Sequence, residues 1–313
     1  MCRVARRKQK ENIGMNRLAL FAGQGAQFVG MGRDLAADAE IAGLFSAASS
    51  IAGFDIGEAC FEGPLEALTA SDRCQPAIFV VSAACFTAFR KRHPDVAFDG
   101  FAGLSLGEWT ALWAAGVLSF EDAVRVLAAR GRFMQEACEE RPSGMASILS
   151  LPLETVEKIA ADCGVYVSNV NSQAQINVAG EKPLVEKAVA AAVAAGGKAI
   201  VLNVAGAFHS PFMASARERL APVLDGVTFR APSAPVFSNA TGAPHSSDVA
   251  EIKSRMLDQI TGTVRWLDCI LGSGVHEFVE FGPGKVLTGL ARRIDRANKA
   301  TAIQDLASIE AIP

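Results

Sequence analysis

Apolar residues in this chain occur in short runs separated by longer stretches of helical periodicity. Arg17–Ala22 predicts a buried strand that ends in a glycine-containing loop, Gly23–Gln27. Helical patterns follow to about residue 92, Phe98–Ala102 predicts a second strand, and Leu106–Ala115 predicts a further helix. This alternation of strands and helices indicates an α/β fold with a parallel sheet.

The middle of the chain follows a different order. Ser119, together with Asp122, predicts the cap of a helix that continues to about Cys138. Residues 141–206 then show the order βαββαβ, which is that of a ferredoxin-like unit. The predicted elements of this segment are Met145–Leu149, Leu153–Asp162, Tyr166–Val170, Gln175–Ala179, Leu184–Ala195 and Lys198–Val204. We therefore expect a compact insert between two parts of a larger domain.

The rest of the chain completes the larger domain. Pro235–Ser238 and Glu277–Glu280 are predicted strands, and Val286–Ala297 is a predicted closing helix. The chain has 313 residues, which fits one large domain with a smaller partner better than a single simple core. The predicted division is 15–140 and 207–313 for the large domain, 141–206 for the insert, and 1–14 for a disordered tail or a start-site artefact.

Composition and charge argue against two classes of partner. The formal net charge is −3 and the pI is near 5.9, so the chain supplies no basic field for nucleic acid. The longest apolar runs, such as Ala77–Phe86, are about half as long as a bilayer span requires. The polar N-terminal segment is neither a signal peptide nor a membrane anchor. We predict no nucleic acid and no membrane as partners.

The cysteines and the first glycine loop argue against a metal or a nucleotide cofactor. No two cysteines form a CxxC pair, so we predict reduced thiols in a cytoplasmic protein, with no metal site. In Gly23-Gln24-Gly25 the dinucleotide fingerprint fails because position 28 is Phe28, and no Gly-Lys-Ser/Thr phosphate loop occurs. The seven cysteines are Cys2, Cys60, Cys74, Cys85, Cys138, Cys163 and Cys269.

The turn after the second strand carries the strongest chemical signal. Gly103-Leu104-Ser105-Leu106-Gly107 is a G-x-S-x-G sequence between a predicted strand and a predicted helix, as in a nucleophile elbow. The helix N-terminus would direct the Leu106 amide at an oxyanion. The same turn fits a capping box formed by Ser105 and Glu108, in which the serine only caps the helix. The local pattern does not separate these two interpretations.

A serine nucleophile needs a base, and the chain has four histidines. His93 and His245 lie in polar segments and are predicted to be solvated, while His276 begins a strand and is predicted to be structural. His209 follows the last strand of the insert, where the chain returns to the large domain. Because sites favour domain junctions, His209 is the preferred base.

Arg130 lies on the apolar face of its predicted helix, within about 40–60° of Val126, Leu127, Phe133 and Met134. An unpaired buried guanidinium would be costly, so it must meet either a structural carboxylate or the carboxylate of a ligand. Arginine binds carboxylates through two parallel hydrogen bonds, which suits an anionic acyl group. Both alternatives stay open from the sequence.

Five motifs occur together in the order and spacing that are typical of one known family. Because of these motifs, the chain from about Asn16 onward resembles the malonyl-CoA:acyl carrier protein transacylases of bacterial fatty acid synthesis. The resemblance implies an α/β-hydrolase-like large domain with a ferredoxin-like insert. The motifs are Gly23-Gln24-Gly25-Ala26-Gln27, Gly103-x-Ser105-Leu106-Gly107-Glu108, Arg130-Gly131-Arg132-Phe133-Met134-Gln135, Ala207-Phe208-His209-Ser210 and Gly282-Pro283-Gly284-Lys285-Val286-Leu287.

The resemblance also implies roles for individual residues. Ser105 and His209 would form a pair without an acidic third member, and a backbone carbonyl near Arg265 would orient the histidine. The amides of Gln24 and Leu106 would form the oxyanion hole. Arg130 would hold the free carboxylate of a malonyl group. Phe208 resembles the malonyl-selecting residue of related polyketide acyltransferases.

Three positions depart from the family pattern. Leu104 stands beside the nucleophile where the family usually has histidine, which bears on tuning of the serine or on carrier handling. Ala22 replaces a common proline, and Gly262-Thr263 replaces a common Asn-Pro. None of these changes removes the expected nucleophile, base or arginine.

The expected reaction is transfer of malonyl from malonyl-CoA to the phosphopantetheine thiol of holo acyl carrier protein. Three rivals remain open: an esterase or thioesterase on the same elbow, a polyketide-pathway transacylase, and a non-catalytic carrier-docking module. Carrier proteins are acidic, so basic residues near the site are expected to steer them. The candidate docking residues are Lys198, Lys285, Arg292 and Arg293.

Overall fold

The computed structural model describes residues 17–312, so the expectation for residues 1–14 lies outside the described part of the chain. The strands are β1 (Leu18–Phe21), β2 (Gly100–Gly103), β3 (Ser143–Leu149), β4 (Tyr166–Ser172), β5 (Gln175–Glu181), β6 (Lys198–Val201), β7 (Glu277–Phe281) and β8 (Lys299–Ile303). The helices are α1 (Ala39–Ala52), α2 (Ile56–Phe61), α3 (Leu65–Thr69), α4 (Ser71–Arg92), α5 (Leu106–Ala114), α6 (Phe120–Glu140), α7 (Leu153–Cys163), α8 (Lys182–Ala194), α9 (Ala214–Asp225), α10 (Val249–Thr261), α11 (Trp266–Ser273), α12 (Val286–Ile294) and α13 (Leu306–Glu310).

A parallel sheet forms the centre of the larger part of the molecule. Its strand order is β2-β1-β7-β8, and every residue of β1 and β2 is buried. Because β1 and β2 run in parallel with Phe21 opposite Gly103, the loops that leave both strands lie side by side. The sheet thus brings the glycine loop that follows β1 next to the turn that contains Ser105.

Two details of this sheet differ from the sequence expectations. The predicted strand Pro235–Ser238 forms only in part: it pairs through isolated bridges, Val236 with Phe101 of β2 and Phe237 with Pro244. A proline has no N–H to give to a ladder, and the chain turns away at Asn239 to enter the site. Strand β8 was not predicted, because its sequence Lys-Ala-Thr-Ala-Ile is only partly apolar.

An antiparallel sheet with the strand order β4-β5-β3-β6 forms the second layer. Its elements follow one another in the order βαββαβ, as the hydrophobic pattern predicted. Helices α7 and α8 cover one face, where Ile148 and Val178 of the sheet share an apolar cluster with Val185 of α8. The other face carries polar residues, including Asn169 and Asn177, and borders the cleft described below.

Helices α4 and α6 pack against each other beside the parallel sheet. Gly131 permits this approach, since a Cβ at that position would lie 2.3 Å from the Ser71 carbonyl oxygen. Ser119 caps α6 by accepting from the Asp122 amide at 3.0 Å, as predicted. The close contact places the buried face of α6, with Arg130, against the first turns of α4.

Within the described part of the chain, no helix has the length and apolarity to cross a membrane.

Candidate active site

Ser105 occupies a sharp turn between β2 and α5, with φ 56° and ψ −105°. A left-handed φ is costly for a residue with a side chain, and such strain is concentrated at functional sites. The flanking glycines are required by close contacts. A Cβ on Gly103 would lie 2.0 Å from the Gly107 carbonyl, and one on Gly107 would lie 2.2 Å from the Phe21 carbonyl oxygen. The turn therefore has the steric demands of a nucleophile elbow.

The alternative role of Ser105 as a helix cap does not fit this geometry. Its side chain makes no capping hydrogen bond, and the carboxylate of Glu108 is fully buried with partners elsewhere. Glu108 accepts from Asn239 N at 3.0 Å and from Gln259 Nε2 at 2.6 Å, and its other oxygen lies 2.7 Å from His245 Nε2. The prediction that His245 is solvated is therefore wrong: its side chain turns inward from an exposed loop because Glu108 provides a buried partner.

His209 stands against the serine, as predicted. Its Nε2 lies 2.8 Å from Ser105 Oγ, and its Nδ1 lies 2.8 Å from the Gln259 carbonyl oxygen. A carbonyl can only accept, so Nδ1 carries the proton and Nε2 presents a lone pair to the serine hydroxyl. The carbonyl expected near Arg265 is thus supplied by Gln259, at the end of α10; Arg265 is the N-cap of α11 and its side chain pairs with Asp268.

Burial, and to a smaller extent the positive charge of Arg130, lower the pKa of His209 to about 4, although the hydrogen bond to the Gln259 carbonyl acts in the opposite direction. The histidine is only 5% exposed. An imidazole with this pKa is neutral at neutral pH, which is the state that can accept a proton.

The charge of Arg130 should be visible in the acid limb of the pH profile. If His209 is the base that the motifs imply, only its neutral form can act, so acylation by acetyl-CoA should stay constant down to about pH 5 and fall below it. Arg130→Ala removes a charge that lowers the His209 pKa, so the limb should move to higher pH. The measurement is kcat/KM for acetyl-CoA from pH 4 to about 8. Arg130→Lys, which keeps a charge, is the control; superimposable limbs in wild type and Arg130→Ala would contradict the coupling.

Arg130 is 1% exposed and makes its hydrogen bonds to neutral groups. Its Nη1 donates to Gln75 Oε1 at 2.6 Å, and its Nη2 donates to Gln259 Oε1 and to Ser105 Oγ, both at 3.0 Å. Its Nε has no partner within residues 17–312, and no ion pair of that part of the chain includes this arginine. Burial lowers its pKa to about 10, so the guanidinium stays charged at neutral pH. The structural-carboxylate alternative is therefore wrong.

Two backbone amides beside the serine are free to bind an oxyanion. Within the described residues, neither the Leu106 amide nor the Gln24 amide donates to another group. The glycine loop reaches the elbow closely, since a Cβ on Gly23 would lie 2.6 Å from the Leu104 carbonyl oxygen. An amide pair at this position can stabilise a tetrahedral oxyanion, each donor contributing about 2.7–4 kcal/mol in known cases.

Ser105, His209 and Arg130 line one cleft of about 550 Å³ between the two sheets. Its lining combines Phe208 and Leu104 near the serine with Asn169 and Asn177 from the antiparallel sheet. The basic residues expected to dock a carrier are exposed and lie outside this lining; they are Lys198, Lys285, Arg292 and Arg293. Lys285 follows Gly284, on which a Cβ would lie 3.5 Å from the carbonyl oxygen of Ala26 in the glycine loop.

Three polar residues that sequence reasoning did not find hold the site together. Asn239 Oδ1 accepts from Ser105 N at 2.6 Å, and its Nδ2 donates to the Gly103 carbonyl at 2.9 Å. Gln259 Nε2 donates to the Ser105 carbonyl at 2.9 Å, while Gln75 binds the arginine. Gln75 is fully buried in helix α4. The residues that follow it in the sequence are apolar, and a lone glutamine in such a helical segment is the signal that could have identified it.

A serine and a neutral histidine at the carboxyl end of a parallel sheet, beside two free amides, define an enzyme class that moves acyl groups through a serine ester. The motifs pointed to the same chemistry. The chain belongs to the acyl transferase domain family, whose sequence model matches residues 19–292. It is an acyltransferase, and the family resemblance stated from the motifs is confirmed.

Individual relatives agree over nearly the whole chain. The malonyl CoA-acyl carrier protein transacylase of Bacillus subtilis (strain 168) is 38% identical over 307 residues, covering 95% of this chain and 96% of the relative. An acyl carrier protein S-malonyltransferase from Vibrio cholerae superposes with a TM-score of 0.90 at 35% identity, covering 95% of this chain and 100% of that one. A malonyl-transacylase in complex with its type II PKS acyl-carrier protein gives a TM-score of 0.89 at 35% identity, with 94% and 98% coverage.

Proposed function

We propose that this enzyme transfers malonyl from malonyl-CoA to the phosphopantetheine thiol of holo acyl carrier protein, for fatty acid synthesis. The observation that carries the proposal is the guanidinium of Arg130, which is charged, buried and hydrogen-bonded to Ser105 Oγ at 3.0 Å. In a malonyl ester on the serine, one methylene separates the ester carbonyl from the carboxylate. That carboxylate is therefore within reach of the guanidinium that touches the ester oxygen.

The first half-reaction forms an ester on Ser105. His209 Nε2 takes the hydroxyl proton while Oγ attacks the thioester carbonyl, and the resulting oxyanion binds the amides of Gln24 and Leu106. When the tetrahedral intermediate collapses, the C–S bond breaks and the leaving sulfur of coenzyme A takes the proton from His209. The carbonyl of Gln259 keeps the imidazole oriented and stabilises its protonated form.

The second half-reaction reverses these roles. The thiol of the carrier's phosphopantetheine arm gives its proton to His209 and attacks the malonyl ester, and Ser105 leaves with that proton. Ping-pong kinetics follow from the shared ester intermediate. We propose that the acidic carrier approaches through the exposed basic residues Lys198, Lys285, Arg292 and Arg293.

The same proposal includes the finer description of the architecture. Residues 15–140 and 207–313 would form an α/β-hydrolase-like domain, and residues 141–206 a ferredoxin-like insert. The parallel sheet with its elbow serine supports the first part, and the strand order β4-β5-β3-β6 supports the second. A cytoplasmic location fits the cysteines, since all six within residues 17–312 are buried free thiols.

A single assay separates transfer from hydrolysis. Wild-type protein mixed with malonyl-CoA alone should show a malonyl adduct by intact mass, and addition of holo carrier protein should discharge the adduct onto the carrier thiol. Free malonate should form much more slowly than malonyl-carrier. Rapid release of malonate without an acceptor would instead identify a thioesterase, and carrier binding without any adduct would identify a docking module.

The structure bears on two of the rival functions. A thioesterase of this type would place a carboxylate against the histidine, but the group at His209 Nδ1 is a carbonyl. Two acids of the antiparallel-sheet segment lie between Ser105 and His209 in chain order and pair elsewhere, Asp162 with Lys158 and Glu181 with Arg141. A polyketide-pathway transacylase would use the same site, and the carrier accepted most efficiently in the discharge assay would distinguish it.

A further inference from the structure

Within residues 17–312, the hydrogen-bond partners of the Arg130 guanidinium are all uncharged. Gln75 Oε1 accepts from Nη1, Gln259 Oε1 accepts from Nη2, and Ser105 Oγ accepts from Nη2 as well. Each glutamine comes from a different helix, α4 and α10, and both side chains are fully buried. A carboxylate at either position would accept the same hydrogen bond but would also cancel the charge of the arginine.

One buried carboxylate lies near enough to act on Arg130 electrostatically, and it is kept out of contact. Glu108 raises the pKa of Arg130, although burial of the guanidinium lowers that pKa more. Both oxygens of Glu108 are bound by other donors, which are His245 Nε2, Asn239 N and Gln259 Nε2. The side-chain amide of Gln259 bridges Arg130 and Glu108, since its nitrogen donates to Glu108 and its oxygen accepts from Arg130.

We propose that Gln75 and Gln259 determine the acyl-group specificity of this enzyme. Their carboxamide oxygens hold the guanidinium in place while leaving its positive charge uncompensated, so that the charge is available to the carboxylate of an anionic acyl group. Selectivity for anionic over neutral acyl groups thus depends on the neutrality of these two acceptors as well as on Arg130. This inference rests on the proposed malonyl transfer.

Gln75 is the better position for a test. Gln259 also donates to the Ser105 carbonyl and to Glu108, so a change there would disturb the nucleophile. The Gln75 amide nitrogen makes only a 3.6 Å contact with Met134 Sδ. Gln75→Glu is nearly isosteric, keeps the oxygen that faces Arg130, and adds a charge.

The experiment measures single-turnover acylation of Ser105 by malonyl-CoA and by acetyl-CoA, using intact mass. For Gln75→Glu, acylation by malonyl-CoA should fall roughly 10- to 100-fold, the range expected when a hydrogen bond to a charged group is lost. Acylation by acetyl-CoA, which has no carboxylate, should change by less than about 3-fold. The ratio of the malonyl rate to the acetyl rate should therefore fall by at least about 3-fold.

Three further variants separate charge from structure. Gln135→Glu adds the same charge in the same cleft, where its oxygen accepts from Ser71 N and does not touch Arg130, and the malonyl-to-acetyl ratio should stay near that of wild type. Gln75→Met removes the acceptor without adding charge and should lower the ratio less than Gln75→Glu. In an Arg130→Ala background, Gln75→Glu should not change the ratio further.

The possible outcomes distinguish a failure of the proposed function from a failure of the inference alone. If wild type forms no malonyl ester, the proposed function fails and the inference with it. If wild type forms the ester but Gln75→Glu keeps the wild-type ratio, only the inference is overturned. An equal loss with both acyl donors, or an equally large fall in the Arg130→Ala background, would show that Gln75 has a structural role and would also overturn the inference.

Discussion

Ser105→Ala should abolish the malonyl adduct and reduce transfer to the carrier on the order of 10⁵- to 10⁶-fold, the loss seen when the nucleophile of a serine enzyme is removed. The reason is geometric. Ser105 Oγ is the atom in hydrogen-bond contact with both His209 Nε2 and Arg130 Nη2. Intact mass after mixing with malonyl-CoA, followed by peptide mapping, is the direct measurement.

A second variant at the same position controls for misfolding. Ser105 has a φ of 56°, a conformation that costs a residue with a side chain about 1–2 kcal/mol and costs glycine little. Ser105→Gly should therefore be inactive and yet unfold at a higher temperature than wild type. A malonyl adduct that survives in either variant would remove Ser105 from the proposed role.

Arg130→Ala should reverse the preference among acyl donors. Leaving a buried carboxylate without its partner costs about 3–5 kcal/mol, so acylation by malonyl-CoA should fall on the order of 10²- to 4 × 10³-fold. Acetyl-CoA brings no carboxylate into the site, and its transfer should be unchanged or should rise. The measurement is kcat/KM for the two donors, with Arg130→Lys as the variant that keeps the charge.

The outcome for acetyl-CoA decides how the Arg130 result is interpreted. Arg130 also donates to Ser105 Oγ, so its removal could disturb the nucleophile itself. An equal loss for both donors would mean that the arginine acts on the serine alone, and the proposed carboxylate contact would have to be abandoned. A selective loss for malonyl-CoA would identify the guanidinium as the group that recognises the acyl carboxylate.

The parts of the site that could be predicted from the sequence are those encoded locally. A G-x-S-x-G turn requires glycines within a few residues of the serine, because their absent side chains make room for the neighbouring backbone. The position of Arg130 on an apolar helix face follows from helical periodicity over one or two turns. His209 could be selected because only four histidines exist and because it follows the last predicted strand of the insert.

The parts that could not be predicted depend on contacts between distant segments. Asn239 binds the Ser105 amide across 134 residues of sequence, and His245 meets Glu108 across 137. The polar neighbours of His245 predict a position at the surface. Its side chain is nevertheless buried, because Glu108 supplies the partner that makes burial of an imidazole favourable.

The sequence by itself singled out Ser105, His209 and Arg130 and predicted the βαββαβ order of residues 141–206, since each follows from residue type and short-range periodicity. Tertiary structure decided what these groups do together. It showed that Ser105 does not cap its helix, that the carbonyl behind His209 belongs to Gln259, and that the partners of Arg130 are glutamines. A side chain is charged according to its chemistry, but whether that charge is cancelled or left for a ligand depends on which distant residues the fold brings within hydrogen-bond distance.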